Sequence, residues 1–386
     1  MIQEIRIKNY LSFRDEVVLS FEATKDTTFE ECQVVNVTPK VRLLRFALIY
    51  GANASGKSNL LNAMDFLRGF WFDKKSDIDE ETGVVPFLLD TETPNEPSEF
   101  NIKFFVGDKR YWYALVLDDK QVIKEDLYVY NSVQPSLVFS RKLDGTASLI
   151  KLNANLVKSN ATIVEQLNVK CLSNMSFFAA RNQVNCSLAY IDEVRDWMKN
   201  NMMPIIEPGT RMFEYAGKQM EKNAELKAYI LDFVHKADYN ITDVYTEREK
   251  MPIPDFVKAS IMEDKDIPEK TKEKMLADNA LERLRTDFQH TVKNKRGEEN
   301  YRLSNSLQSE GTKRTFGIEA AIYEAIKTNG ILPIDEIESS LHPELVEFII
   351  EKFLKEKSRS QLIVTSHYDP LLNTVDDLIR KDSVWF

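Results

Sequence analysis

The chain has 386 residues, with 51 Lys and Arg against 61 Asp and Glu, and a formal net charge of −10. This acidic balance disfavours a protein that coats nucleic acid or membranes by charge alone. The longest apolar run, Tyr111 to Leu117, is far shorter than the ~20 residues that a membrane helix needs. Residues 1–6 lack a signal-peptide pattern, so we expect a cytoplasmic protein without membrane contact. The scattered cysteines Cys32, Cys171 and Cys186 predict neither disulfides nor a zinc site.

The first part of the chain contains mainly strand patterns and one helix pattern. Alternating apolar residues near Ile5 and Val17 predict two paired strands. Leu43–Tyr50 is apolar enough for a strand that is buried on both faces, and residues 58–72 have helical apolar spacing. Short strand-like runs separated by turn residues predict an antiparallel β lobe over 84–150.

The middle of the chain has a helical, charge-rich pattern. The predicted helices are 161–167, 188–200, 210–236 and 270–288. Residues 287–293 and 300–303 then predict a hairpin, and a further helix is expected over 312–328. We interpret 155–289 as a helical insertion.

Residues Gly51–Ser58 read GANASGKS, which fits the phosphate-loop pattern G-x-x-x-x-G-K-[ST] at every fixed position. In such a loop the backbone N–H groups face the phosphates, Lys57 reaches the β- and γ-phosphates, and Ser58 binds Mg²⁺. Asn294–Gly297 lacks the Asp of a guanine-reading motif, so ATP is the expected nucleotide. The predicted loop contacts are Gly51, Asn53, Ala54, Ser55, Gly56, Lys57, Ser58 and Asn59.

A second motif is the apolar run Ile331–Ile334 followed by Asp335 and Glu336, which predicts a Walker B strand. Asp335 would hold Mg²⁺, and Glu336 would orient and deprotonate the attacking water. Pro333 is unusual there, because proline lacks an N–H and is mostly confined to edge strands or bulges.

Two further motifs complete the set. Ser309 precedes a helix, so it can cap that helix or present donors to an anion. His367 follows the buried run Leu362–Ser366, which places a histidine at a strand end. The other histidines, His235, His290 and His342, show no metal-ligand spacing with it.

In chain order, the P-loop, Ser309–Gly311, Asp335–Glu336 and His367 resemble the motifs of ATP-binding cassette (ABC) ATPases, in particular the branch of SMC, RecF and OLD proteins. Ile5–Phe13 is similar to the first strand of that branch, and Glu338–Pro343 is similar to its D-loop. More narrowly, Glu310–Arg314 and Asp335–Pro343 resemble the bacterial AAA-family ATPases of phage-defence operons. Those operons include restriction-linked, retron-linked and PARIS-type systems.

The resemblance implies an α/β P-loop NTPase of the ABC head type, with a mostly parallel central sheet, an antiparallel β lobe and a helical insertion. One head would form from 1–154 and 290–386, because Ser58 and Asp335 must share one Mg²⁺. Two heads would sandwich ATP in a homodimer or higher oligomer. His367 would act at the γ-phosphate beside Glu336 and Lys57, Ser340 would cross the interface, and the second subunit would contribute Ser309, Gly311 and Thr312.

The sequence also departs from the family pattern. The sequence contains no clear Q-loop glutamine, because Gln121 and Gln134 match the pattern only weakly, and this element stays unassigned. Glu310 stands where transporters have glycine. Proteins of this branch usually continue beyond the strand that corresponds to Val384–Phe386. In this respect the sequence resembles a family member that is truncated at its C-terminus. OLD proteins carry a Toprim nuclease domain after the ATPase, whereas no nuclease centre is visible in this sequence. We therefore expect any cutting of DNA or RNA to come from a partner.

Three functions fit these observations. The first is an ATP-hydrolysing switch in anti-phage defence that controls a separately encoded effector. The second is a DNA-repair type of clamp that grips duplex DNA when ATP is bound. The third is a scaffold that binds nucleotide, hydrolyses little of it, and docks partners through the insertion.

Overall fold

The computed structural model describes residues 1–237, 240–264, 268–277 and 280–386. The chain folds as two compact units. Unit 1 comprises Met1–Gly209, Glu324–Ser339 and Val346–Phe386, and unit 2 comprises Thr210–Tyr323 and Ser340–Leu345. Among the described residues, no helix is both long and apolar enough to cross a membrane.

Strands dominate the first part of the chain, and most helices lie after residue 160. The strands are β1 (Ile2–Lys8), β2 (Val17–Ser20), β3 (Val34–Thr38), β4 (Val41–Leu44), β5 (Phe46–Tyr50), β6 (Ser98–Val106), β7 (Lys109–Leu117), β8 (Val122–Tyr130), β9 (Ser136–Asp144), β10 (Ala147–Leu152), β11 (Asp243–Pro252), β12 (Ala280–Asn294), β13 (Gly297–Ser304), β14 (Ile331–Ile334), β15 (Gln361–Ser366) and β16 (Val384–Trp385). The helices are α1 (Glu30–Gln33), α2 (Lys57–Phe70), α3 (Ala161–Lys170), α4 (Phe177–Arg181), α5 (Ile191–Asn201), α6 (Met212–Lys222), α7 (Ala224–Lys236), α8 (Asp255–Glu263), α9 (Glu269–Ala277), α10 (Glu310–Thr328) and α11 (Pro343–Lys355).

Unit 1 contains a seven-stranded antiparallel sheet in the order β10-β9-β8-β7-β6-β1-β2. The predicted pairing of the first two strands is confirmed, since Ile5 lies opposite Leu19. The predicted antiparallel lobe is confirmed by β6 to β10, and β1 and β2 extend the same sheet. Alternate residues of β7, such as Tyr113 and Leu115, are fully buried because one face of the sheet packs on the core.

A second sheet of unit 1 is parallel, in the order β14-β15-β5-β16. Ile334 lies opposite Val364, and Ser366 lies opposite Tyr50. The strands therefore end at the same edge, which is where α/β proteins bind ligands. The expected combination of a parallel sheet and an antiparallel sheet in an α/β fold is confirmed.

Arg45 divides the predicted strand Leu43–Tyr50 into β4 and β5. Arg45 is 2% exposed, and its guanidinium donates hydrogen bonds to the carbonyls of Cys32, Phe353 and Leu354. Burial lowers the pKa of Arg45 to about 10. The predicted strand divides here because its backbone changes partner: β4 pairs with β3, whereas the Arg45 carbonyl accepts from the Leu362 N–H and β5 pairs with β15.

Pro333 lies in β14, the outermost strand of the parallel sheet. Its carbonyl accepts a hydrogen bond from the N–H of Ile206, a residue on the side of β14 away from β15. The missing N–H of Pro333 therefore faces that side, and the ladder between β14 and β15 is preserved.

Unit 2 contains the antiparallel sheet β11-β12-β13. The predicted hairpin is confirmed by the β12–β13 pair, in which Asn294 lies opposite Gly297. The predicted helix over 210–236 is interrupted at Asn223, whose side chain caps α7 by accepting from the Leu226 N–H.

The predicted helix over 270–288 is correct only for its first part. Residues 278 and 279 lie outside the described residues, and β12 begins at Ala280. Thr286 and Phe288 are buried whereas Arg285 is exposed, which is the two-residue period of a strand. Pairing with β11 and β13 decided this conformation, so the segment 155–289 is not wholly helical.

Gly317 occupies an interior position of α10, where glycine is normally unfavourable. An added Cβ would lie 2.3 Å from the Cβ of Met212. Glycine is required because the start of α6 approaches the helix too closely for any side chain.

Candidate nucleotide-binding site

The P-loop connects β5, which ends at Tyr50, to α2, which begins at Lys57. Ala54 and Gly56 have positive φ values of 63° and 96°. Gly56 is the N-cap of α2, and no side chain of the described residues caps this helix end. The first N–H groups of α2 are therefore available to an anion, as expected for a phosphate site.

The loop between β1 and β2 supports the P-loop. A Cβ on Gly56 would lie 2.9 Å from Ser12 Oγ and 3.1 Å from the ring of Phe13. Asn59 Nδ2 donates a hydrogen bond of 2.9 Å to the same Ser12 Oγ. Sequence reasoning treated Ser12 and Phe13 only as part of a motif resemblance and missed this contact.

Lys57 lies over the loop that its motif assigns to phosphates. Its Nζ donates hydrogen bonds of 2.8 Å to the carbonyls of Gly51 and Ala52. The ammonium is thereby held at the loop, where phosphate oxygens would be stronger acceptors than carbonyls.

Ser58, Asp335 and Thr365 form a cluster of oxygen atoms. Ser58 Oγ lies 3.0 Å from Asp335 Oδ1, and Thr365 Oγ1 donates to the same carboxylate oxygen at 2.6 Å. Asp335 is only 8% exposed. The two predicted metal ligands thus meet across 277 sequence positions. A hydroxyl and a carboxylate are ligands that suit Mg²⁺, which is held by few protein oxygens and retains several waters.

Glu336 follows directly and has a φ of 45°, which is uncommon for a residue with a side chain. Its N–H donates to Thr365 Oγ1 at 2.8 Å, and the Ile337 N–H donates to the Thr365 carbonyl at 3.2 Å. Such a conformation costs on the order of 1 kcal/mol and is typically retained where function requires it.

His367 follows β15 at the same edge of the parallel sheet. Its Nδ1 lies 3.0 Å from Glu338 Oε1, and its backbone N–H donates to the same oxygen at 2.9 Å. The Ser366 carbonyl accepts a hydrogen bond from the Gly51 N–H at 3.4 Å, which connects the start of the P-loop to this strand end.

Unit 1 therefore contains Lys57, Ser58, Asp335, Glu336 and His367, whereas Ser309, Gly311 and Thr312 belong to unit 2. In unit 2, Ser309 Oγ accepts from the Thr312 N–H at 3.0 Å and lies 2.8 Å from Thr312 Oγ1. This contact confirms the predicted helix cap. A Cβ on Gly311 would lie 2.6 Å from the Ser340 carbonyl oxygen, so this position also requires glycine.

The Q-loop candidates lie in connections of the antiparallel sheet. Gln121 is in the turn between β7 and β8, where its N–H donates to Asp118 Oδ1, and Gln134 lies between β8 and β9. Sequence reasoning also missed Thr365 and the side chain of Glu338. A hydroxyl near the end of a buried strand beside Walker B was the one available signal for Thr365.

A P-loop between a parallel strand and a helix, with a hydroxyl–carboxylate pair at the strand ends, defines a P-loop nucleotide-binding domain. The family described as "AAA domain, putative AbiEii toxin, Type IV TA system" matches residues 46–153 and 216–373, which is more than half of the chain. The chain belongs to this family of ATPase domains. No curated protein matches the chain in sequence.

SMC head structures are among the solved structures that the comparison matches to this chain. The SMC head domain from Thermotoga maritima has 13% identity and a TM-score of 0.44, with 97% of this chain and 92% of that chain covered. The SMC head bound to the C-terminal winged-helix domain of ScpA has 15% identity and a TM-score of 0.43, with coverages of 99% and 96%.

Proposed function

We propose that this protein is a Mg²⁺-dependent ATP hydrolase and that hydrolysis switches a separately encoded effector in anti-phage defence. The observation that carries the proposal is the contact between Ser58 Oγ and Asp335 Oδ1 at 3.0 Å. It joins a P-loop to a Walker B carboxylate, and a site with both elements can place a metal beside the phosphates.

Each residue has a defined task in this proposal. Gly51 to Asn59 bind the phosphates, with Lys57 at the β- and γ-phosphates. Ser58 and Asp335 would hold Mg²⁺, which supplies positive charge to the phosphate oxygens. Glu336 accepts the proton of the attacking water. His367, at the neighbouring strand end, contacts the γ-phosphate.

The switch requires a second copy of the chain. Ser309, Gly311 and Thr312 would contact ATP bound to the partner, so hydrolysis would depend on a head-to-head dimer or a higher oligomer. The head would comprise 1–154 and 290–386, and 155–289 would be the insertion. The family description names a toxin of a toxin–antitoxin system, which supports function together with another gene product.

The test of hydrolysis compares the wild type with Glu336→Gln. We expect the variant to bind ATP as the wild type does and to lose turnover by roughly a hundredfold or more, because its amide cannot accept a proton. Phosphate release and ATP binding are measured on the same preparations. The matched control is Glu344→Gln, at a side chain that is 91% exposed, and it should turn over normally.

Normal turnover by Glu336→Gln would exclude the general-base role. The defence role is tested separately, by measuring phage plating on cells that carry the gene with its neighbouring genes. We expect protection from the wild type and none from Glu336→Gln. Equal plating on both strains would overturn the switch.

A further inference from the structure

Glu338 contacts His367 but has no task in the proposed mechanism. Its Oε1 receives the His367 N–H at 2.9 Å and lies 3.0 Å from His367 Nδ1. Its side chain is 12% exposed, whereas that of His367 is 47% exposed. A largely buried carboxylate thus holds both the backbone and the ring of a half-exposed histidine.

The position of this carboxylate determines where the ring proton lies. A carboxylate oxygen only accepts hydrogen bonds, so an unprotonated Nδ1 at this distance would face it lone pair to lone pair. The proton of the neutral ring is therefore favoured on Nδ1. Nε2 is then the nitrogen that remains for a ligand or a reacting group.

Among the described residues, no hydrogen bond of the second carboxylate oxygen competes with the contact between Glu338 and His367. Glu338 Oε2 is buried, and no hydrogen-bond donor reaches it in the part of the chain that the structure describes. Within that part of the chain, the carboxylate accepts the hydrogen bond of the His367 N–H through Oε1, and Nδ1 of the ring lies 3.0 Å from the same oxygen.

We propose that Glu338 is a positioning residue that fixes the Nδ1–H tautomer and the orientation of His367 for its role at the nucleotide. This inference rests on the proposed function for its consequence in turnover, although the tautomer itself does not. The pair of His342 and Glu344 offers a contrast, since its atoms are 4.0 Å apart and both side chains are strongly exposed.

The test uses the full chain labelled with ¹⁵N-histidine, in which four histidines give separate ring signals. Long-range ¹H–¹⁵N spectra are recorded at a pH of about 8, where an ordinary histidine is neutral. The ring signals of His367 are assigned as those that are missing from the spectrum of His367→Gln. We expect the Nδ1–H form for His367 in the wild type and in Glu338→Gln, whose amide oxygen can replace Oε1 as the acceptor, and a different tautomer pattern in Glu338→Ala.

Glu338→Gln keeps the size of the side chain and an oxygen for the His367 N–H, so it guards against a folding defect in Glu338→Ala. Glu344→Gln is the matched control and should leave the His367 signals unchanged. An Nε2–H form of His367 in the wild type, or an unchanged pattern in Glu338→Ala, would overturn the inference.

Turnover gives an independent readout. We expect Glu338→Ala to lower kcat roughly tenfold with little change in KM, in the range seen for groups that orient another functional side chain, and Glu338→Gln to retain most of the activity. In a His367→Gln background Glu338→Ala should cost nothing more. A further, additive loss of kcat in the His367→Gln background would overturn the positioning role. A wild type without turnover would reject the proposed function, and the spectra would still decide on the tautomer of His367.

Discussion

Ser58, Thr365 and Asp335 form the centre of the site at the scale of single residues. Both hydroxyls contact the same carboxylate oxygen, at 3.0 and 2.6 Å. Ser58 and Asp335 could be predicted because phosphate loops and Walker B strands need those residue types at fixed positions. Thr365 could not, since a hydroxyl in an apolar strand has several uses and its partner lies 30 positions away.

Gly56→Ala is expected to weaken nucleotide binding and destabilise the fold. The residue has a φ of 96°, and a Cβ would lie 2.9 Å from Ser12 Oγ. The left-handed conformation alone costs about 1–2 kcal/mol for alanine. Urea unfolding and ATP titration are the measurements.

Gly69→Ala is the matched control for Gly56→Ala. Gly69 lies in α2, and among the described residues no neighbouring atom lies within 4 Å of its Cβ position. Alanine there should be neutral or should stabilise the helix by up to about 1 kcal/mol. Equal behaviour of the two variants would contradict the conformational argument.

Strands and helices followed their sequence periods where one face of an element meets the core. β7 alternates and α2 has helical spacing, and both agree with the predictions. β12 differs because its residues 280–288 find partners in β11 and β13, which no local pattern specifies. The break between β4 and β5 likewise depends on distant partners, because β4 pairs with β3 and β5 pairs with β15.

Arg45→Met is expected to destabilise the protein by about 2–4 kcal/mol, because buried carbonyls lose charged donors. The free energy of unfolding in urea is the measurement. Arg359→Met is the matched control, since Arg359 forms an exposed ion pair with Asp108. Its loss should cost at most about 1 kcal/mol. A similar effect of the two changes would show that the Arg45 contacts contribute little.

Glu4 connects β1 to β6 through Lys103 and predicts a specific pH dependence. Hydrogen bonds from Arg6, followed by those from Lys103, lower its pKa from 4.5 to about 2. A lowered folded pKa means that the stabilisation is complete above pH 4.5 and is lost as the pH falls towards 2.

We therefore expect Glu4→Gln to be less stable than the wild type at neutral pH, with the difference shrinking as the solution is acidified. Urea unfolding of both proteins across that range measures it. The exposed Glu344→Gln serves as the control without such a trend. A constant difference at all pH values would contradict the assignment.

At the scale of the whole molecule, the chain folds as two units and has a formal net charge of −10. Unit 1 holds the P-loop and the Walker B residues, and unit 2 holds Ser309 and Gly311. The proposed ATP sandwich makes a prediction about assembly, because each bound nucleotide would need residues from two chains.

Glu336→Gln with ATP and Mg²⁺ is expected to elute as a dimer or higher oligomer, and adding Gly311→Ala should return it to the size seen without nucleotide. The alanine Cβ would lie 2.6 Å from the Ser340 carbonyl, so the start of α10 must shift. Light scattering coupled to size-exclusion chromatography gives the masses.

Gly209→Ala is the control for this experiment, since among the described residues no atom lies within 4 Å of its Cβ position. It should leave the assembly intact. A single mass for Glu336→Gln with and without ATP, or an oligomer that survives Gly311→Ala, would reject the sandwich.

The sequence alone determined that the chain carries a P-loop nucleotide-binding site, because the P-loop and the Walker B acids need fixed residue types at short spacing. It also determined the elements whose periods match a buried face. The tertiary structure decided the contacts between distant residues: Thr365 on Asp335, Ser12 against Gly56, Glu338 on His367 and the strand pairing of β12. These depend on chain segments that meet only after folding, so no local pattern could encode them.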